Sequence, residues 1–114
     1  MSDDETKEPK TEKEWQKEAI DWLKSDPRIG DVWQNDSNRN RHRKFGGIGK
    51  YRPKGLPDLC GYTSDGRFLA IEFKTHKGVV SDDQSTFIKR VIAFGGRAGV
   101  ARSIEDLENI LLSK

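Results

Sequence analysis

The sequence reads as an α/β fold in the order helix, three strands, helix, strand, helix. Three observations carry that reading. Thr11, Ser81 and Ser103 each head a stretch in which apolar residues recur at helical spacing. Asp58 to Tyr62 and Arg67 to Lys74 have strand character and flank Ser64-Asp65-Gly66, which places Gly where a three-residue hairpin loop needs it. At 114 residues the chain has the length of one domain, because a second core would leave each half too short to be stable.

Residues 1–10 lack apolar anchors and are expected to form a disordered acidic leader, leaving a single domain over residues 11–114. Thr11 and Glu14 make a capping box, and Trp15, Ala19, Trp22 and Leu23 mark the inner face of a first helix that ends near Ser25, before Pro27. Val32 to Asn35 is a short strand. Asn38 to Gly55, rich in Gly and basic residues, is a long loop or loose ribbon, and a loop of that length in a small domain is usually functional. After the hairpin, Ser81 and Gln84 form a second capping box. Phe87, Ile88, Val91 and Phe94 are the expected inward stripe of the helix that follows, and Gly95-Gly96 stops it. Ala98 to Ala101 is a fourth strand whose small residues suggest a central place in the sheet. Ser103 then caps a last helix with Ile104, Leu107 and Leu111 facing inward.

Charged residues make up 35% of the chain and hydrophobic residues 32%, so the core is expected to be small, although three Trp and five Phe enlarge it. A single cysteine, Cys60, excludes an intrachain disulfide and gives no sign of an oxidising compartment. The acidic start and the absence of a long apolar run argue against a signal peptide and against a membrane span. The expectation is an intracellular, cytoplasmic protein. The net charge of +2 conceals an asymmetry. From Asn38 to Lys54 there is no acid, while Arg39, Arg41, Arg43, Lys44, Lys50, Arg52 and Lys54 are all basic. Such a segment suits a polyanion, and these seven residues are its expected contacts.

The chemistry sits in the hairpin. Side chains alternate along a strand, so Leu69, Ile71 and Phe73 share one face while Glu72 and Lys74 share the other. With Ser64-Asp65-Gly66 as the loop, Thr63 faces Arg67 and the count outward sets Asp58 directly across from Glu72. Opposed residues of antiparallel strands have Cβ atoms roughly 5 Å apart. Two carboxylates at that range repel unless a cation lies between them, and Mg²⁺ accepts one or two carboxylates while keeping water and phosphate in its shell. Lys74 points to the same place. The alternative is a pair of ordinary solvent-facing residues, since a Glu-X-Lys triplet recurs by chance.

Taken together, Gly55-Leu56-Pro57-Asp58-Leu59, Ile71-Glu72-Phe73-Lys74 and Ser81-Asp82-Asp83-Gln84 resemble the PD-(D/E)XK nuclease superfamily, and within it the virus-type replication-repair nuclease (VRR-NUC) family. The resemblance runs from about Glu12 to Leu112. It implies a restriction-endonuclease-like core with a mixed four-stranded sheet flanked by helices. It also implies Mg²⁺ or Mn²⁺ held by Asp58, Glu72 and the Phe73 carbonyl, with Lys74 as the catalytic lysine and hydrolysis leaving a 5′-phosphate and a 3′-hydroxyl. Glu12, in Glu12-Lys13-Glu14-Trp15-Gln16, is similar to an N-terminal acid that approaches the metal in that family; Glu14 and Glu18 are possible substitutes, and a favourable place against the helix dipole is the other explanation of Glu12. Gln84 lies one turn before Ile88, so it is expected to serve both its cap and the site.

Neither His42 nor His76 has a companion at metal-ligand spacing, and Cys60 reads as packing. Gln34, Asn35 and Asn38 could contact the DNA backbone or help order the site, but polar residues after a strand are ordinarily just loop. The expected activity is a Mg²⁺-dependent endodeoxyribonuclease acting on branched DNA, with a four-way (Holliday) junction as substrate and a homodimer as the working unit. The two sites of a dimer suit the two cuts a junction needs, and the Trp15, Trp22 and Trp33 region offers aromatic area for pairing. The alternatives are a general nicking nuclease and a catalytically silent DNA-binding module. The intact set of Asp58, Glu72 and Lys74 favours an enzyme.

Overall fold

The computed structural model describes residues 10–35 and 52–112. The expected leader up to residue 9, and Arg39, Arg41, Arg43, Lys44 and Lys50 of the basic segment, lie outside the described residues.

Helix α1 (Glu12–Lys24) opens on the predicted box, with the Thr11 hydroxyl accepting from the Glu14 N–H and the Glu14 carboxylate accepting from the Thr11 N–H. Strand β1 (Ile29–Gln34) begins three residues earlier than the apolar pattern indicated. It is followed by β2 (Leu59–Thr63), β3 (Phe68–Phe73), helix α2 (Asp82–Ala93), β4 (Arg97–Ala101) and helix α3 (Ile104–Leu112). The sheet order is β1-β2-β3-β4, antiparallel across the first three strands and parallel between β3 and β4. The sheet is therefore mixed and four-stranded.

Both faces of the sheet are covered. On one, Leu59, Leu69, Ile71 and Phe73 pack with Trp15, Ala19 and Leu23 of α1 and Leu107, Ile110 and Leu111 of α3. On the other, Cys60, Ala70 and Ala98 pack under Ile88 of α2. Burial of this kind stabilises by about 25 cal/mol per Å² of apolar surface, so the larger cluster holds most of the fold together. The Arg28 guanidinium bonds both carboxylate oxygens of Glu108 at 2.8 and 2.9 Å and also grips Asp26, tying the start of β1 to α3.

Two expectations are corrected. β4 is an edge strand among the described residues, not a central one. Its small residues answer to the helices on both its faces: a Cβ on Gly99 would come within 2.8 Å of the Ile110 side chain, and Ala98 lies against the α2 cluster. Phe94 does not face inward but is 85% exposed. The helix has already ended there: Phe94 is the C-cap, the Gly96 N–H returns to the Val91 carbonyl at 2.8 Å, and Gly95 takes a φ of 94°, which only Gly adopts freely. Of the three indoles, Trp15 is buried in the core, Trp22 packs half-buried against it, and Trp33 is 47% exposed. No helix among the described residues is long and apolar enough to cross a membrane.

Candidate active site

The β2–β3 hairpin has the register counted from its loop. Thr63 donates to the Arg67 carbonyl, and the ladder runs through Tyr62 opposite Phe68 to Leu59 opposite Ile71. One step beyond, Asp58 stands across from Glu72. The Asp58 N–H donates to Glu72 Oε1 at 3.1 Å, and Asp58 Oδ2 accepts from the Phe73 N–H at 2.9 Å. In the phase of the ladder Phe73 falls opposite Pro57, which has no N–H, so the Phe73 carbonyl faces a position with no ladder donor. The Phe73 N–H donates to the Asp58 carboxylate, while the Pro57 carbonyl accepts from Asn35.

Glu72 is not the solvent-facing residue a half-exposed strand would give. It is only 2% exposed. Burial is the main reason its carboxyl is pushed up to about 7; the neighbouring Asp58 charge adds to the effect and Lys74 opposes it. Asp58 is raised as well, again chiefly by burial, helped by the charge of Glu12 and opposed by the Phe73 bond and Lys74. A buried Glu72 whose ionisation is disfavoured by a half-buried Asp58 beside it requires either a proton or a cation. With the Phe73 carbonyl the two carboxyls make an all-oxygen donor set that fits a hard divalent ion. Among the described residues no three His, Cys, Asp or Glu side chains gather closely enough to hold a metal by themselves, so water and phosphate would have to complete the shell.

Lys74 completes the cluster, with Nζ 3.6 Å from Glu72 Oε2. Its stem lies along Gly78, where a Cβ would come within 2.8 Å of Lys74 Cδ. The turn carrying Gly78 is closed by the Gly78 N–H to the Thr75 carbonyl at 3.0 Å and pinned from outside by Arg102, whose Nη1 donates to the carbonyls of Thr75 at 2.6 Å and Gly78 at 2.9 Å. The Arg102 N–H in turn donates to Asp106 in the first turn of α3.

Gln84 does both jobs expected of it. Its Oε1 accepts from the Ser81 N–H at 3.0 Å to close the α2 cap, and its Nε2 donates to Glu72 Oε2 at 2.8 Å. Gly55 holds this end of α2 in place. It has a φ of 73°, and a Cβ there would lie 2.1 Å from the Asp83 carbonyl oxygen, so only Gly lets the loop before Asp58 touch the helix backbone.

Of the three N-terminal acids, Glu14 is occupied by its cap and Glu18 is paired with Lys10. Glu12 makes its charge felt at Asp58 but is exposed and stands apart from the Asp58–Glu72 pair. Its approach follows from Trp15, which anchors α1 by donating to the Ala101 carbonyl at 2.9 Å and by an edge-on contact with the Phe73 ring at 6.2 Å. Arg52 is half-buried and Lys54 exposed, both on the stretch leading into Gly55. His76 is exposed in the turn after Lys74, and Cys60 is buried packing.

Two positioning residues were not singled out by the sequence. Asn35, read as ordinary loop over a role in ordering the site, donates to the Pro57 carbonyl at 2.7 Å while its N–H donates to the Asp58 carbonyl at 2.8 Å, fixing the segment that carries Asp58. Arg102, the other, was passed over entirely. Neither role leaves a local signal, because each depends on contacts far away in the chain.

The VRR-NUC domain family model matches residues 38–105. A search of curated proteins finds no significant match. A solved structure described as a VRR_NUC domain protein is similar in fold, with a TM-score of 0.61 and 21% identity over 91% of this chain and 87% of that one. The family match spans more than half of the sequence and encloses Asp58, Glu72, Lys74 and Gln84; the chain belongs to the VRR-NUC family and is a nuclease-type domain.

Proposed function

We propose that the protein is a divalent-metal-dependent endodeoxyribonuclease whose site is Asp58, Glu72 and Lys74, supported by Gln84. The observation that carries this reading is the pairing of a half-buried Asp58 with a buried Glu72, with Lys74 beside them. Asp58, Glu72 and the Phe73 carbonyl would hold Mg²⁺ or Mn²⁺, with Glu12 nearby through its charge. When bound, such an ion activates water and offsets charge that develops on phosphate.

The chain's own residues do the rest. The Lys74 side chain holds a cationic donor beside Glu72, suited to orienting the attacking water and to stabilising the oxygens of the phosphorus centre as the bond to the leaving 3′-oxygen breaks. Gln84 fixes the Glu72 carboxylate, and the Phe73 N–H fixes that of Asp58, so neither needs to reorganise during the reaction. Arg52 and Lys54, with Arg39, Arg41, Arg43, Lys44 and Lys50, supply phosphate contacts whose strength should fall steeply with salt.

The test is cleavage of plasmid and oligonucleotide DNA with Mg²⁺, Mn²⁺ or EDTA. Cutting is expected with either metal and not with EDTA, and Lys74→Ala should cut at least a hundredfold more slowly while still binding DNA. Undiminished cutting by Lys74→Ala would overturn the assignment.

The finer reading is a homodimer that cuts branched DNA, four-way junctions foremost. One site per chain and two strands to cut support a two-fold pair. Trp33, 47% exposed and tilted against Tyr62 at 6.4 Å on the edge of the sheet, offers an apolar surface for it. Light scattering at twice the 13.0 kDa chain mass, with a junction cut faster than linear duplex, is the expected result. A 13.0 kDa particle that cuts both equally would overturn this reading.

A further inference from the structure

A groove of about 820 Å³ runs beside α2, between that helix and the β2–β3 turn. Two of its lining residues are aromatic and open to solvent, Phe68 at 42% and Phe94 at 85%. Three are cationic: Lys54, Arg67 and Arg90. Asp83 supplies an acid at one end. Arg67 is braced by Asp65 and by the Gly95 carbonyl, whereas among the described residues neither Lys54 nor Arg90 has an ion-pair partner.

The groove lies on the same side of the sheet as the catalytic cluster. Phe68 and Glu72 are four residues apart on β3 and share its α2 face. Along α2 the lining extends from Asp83, next to the Gln84 that touches Glu72, to Phe94 at the C-cap, which at the rise of a helix is on the order of 16 Å. A surface that sets two exposed aromatic rings among three cations, two of them without an ion-pair partner among the described residues, does not match a protein partner's apolar ridge. It matches a chain that alternates flat π-faces with anions, which is a nucleic-acid strand whose bases are free to stack.

We propose that this groove binds unpaired nucleotides of a DNA strand, with bases on Phe68 and Phe94 and phosphates against Lys54, Arg67 and Arg90. In duplex DNA the bases are already stacked on one another and cannot reach the rings. Given the nuclease reading on which this rests, the groove favours substrates with a single-stranded stretch beside the cut: a flap, a splayed arm or a frayed branch point.

The test measures binding to three fluorescent oligonucleotides in EDTA by anisotropy: a thymidine strand, an abasic strand of equal length with the same phosphates, and a blunt duplex. The wild-type protein should bind the thymidine strand about tenfold more tightly than the abasic one, and Phe94→Ala should remove most of that difference. Arg90→Ala should weaken both strands alike and flatten their salt dependence. Equal binding of thymidine and abasic strands by wild type, or no effect of Phe94→Ala, overturns the assignment. A fall in particle mass on Phe94→Ala, seen by light scattering, would make the groove a contact between copies of the chain and overturn it too. Binding in EDTA needs no cleavage, so failure of the nuclease reading shows instead as intact plasmid with every metal, whatever the anisotropy reports.

Discussion

Asp58 and Glu72 clamp one another across the hairpin: the Asp58 N–H holds the Glu72 carboxylate at 3.1 Å, and the Asp58 carboxylate is held by the amide next to Glu72 at 2.9 Å. Each carboxylate is held by a backbone N–H of the opposite strand, so their separation is a property of the strand register and not of flexible side chains. A pair built this way is rigid before any ligand arrives, as a site for phosphoryl chemistry requires.

The pair should make the metal-free protein sensitive to pH. Glu72 is raised to about 7 in the folded chain, from 4.5. Between those values the folded state keeps a proton that the unfolded state has released, so stability in EDTA should decline as pH rises through the window and level off above about 7. The span is on the order of 3 kcal/mol. Thermal melts in EDTA from about pH 5 to about pH 8 should show the fall, and Glu72→Gln should remove most of it. Mn²⁺ should raise the melting temperature more at about pH 8 than at about pH 6, because it competes with that proton.

The two jobs of Gln84 can be separated. Ser81→Ala removes the α2 cap without touching Glu72, whereas Gln84→Ala removes the cap and the 2.8 Å bond to Glu72. Both should lower stability by about 1 kcal/mol. Only Gln84→Ala should slow cleavage, by about tenfold, the value of a hydrogen bond to a charged group. Equal rates for the two variants would reduce Gln84 to a cap.

Gly55→Ala should be destabilising out of proportion to its size. A positive φ held by a non-Gly residue costs about 1–3 kcal/mol, and here the added Cβ would also meet the Asp83 carbonyl oxygen at 2.1 Å. Denaturant melts should show at least that loss. A melt within about 0.5 kcal/mol of wild type would mean that the loop does not press on α2.

Arg102→Ala should act through Lys74. With the two carbonyls of the 75–78 turn released, the Lys74 stem loses its floor at Gly78. The turnover rate is expected to drop roughly ten- to hundredfold, as for other small misplacements of a reacting group, while DNA affinity changes little. A loss of affinity at unchanged turnover would make Arg102 a phosphate contact.

The sequence by itself determined the local pieces. Thr11 with Glu14, and Ser81 with Gln84, fixed two helix starts because a cap is a contact over three residues. Gly66 fixed the hairpin loop, and the period of two then placed Asp58 across from Glu72 without any knowledge of the rest of the fold. What only the tertiary structure decided was the environment of those residues. Alternation alone could not tell that α2 covers the second face of the sheet and buries Glu72, that β4 is an edge whose small residues serve two helices, or that Gly95 and Gly96 turn Phe94 out to solvent. Asn35 and Arg102 were silent for the same reason: their partners are 22 to 27 residues away along the chain. Caps and turns are written in neighbouring residues, whereas burial, pKa and long-range hydrogen bonds exist only once distant segments have packed together.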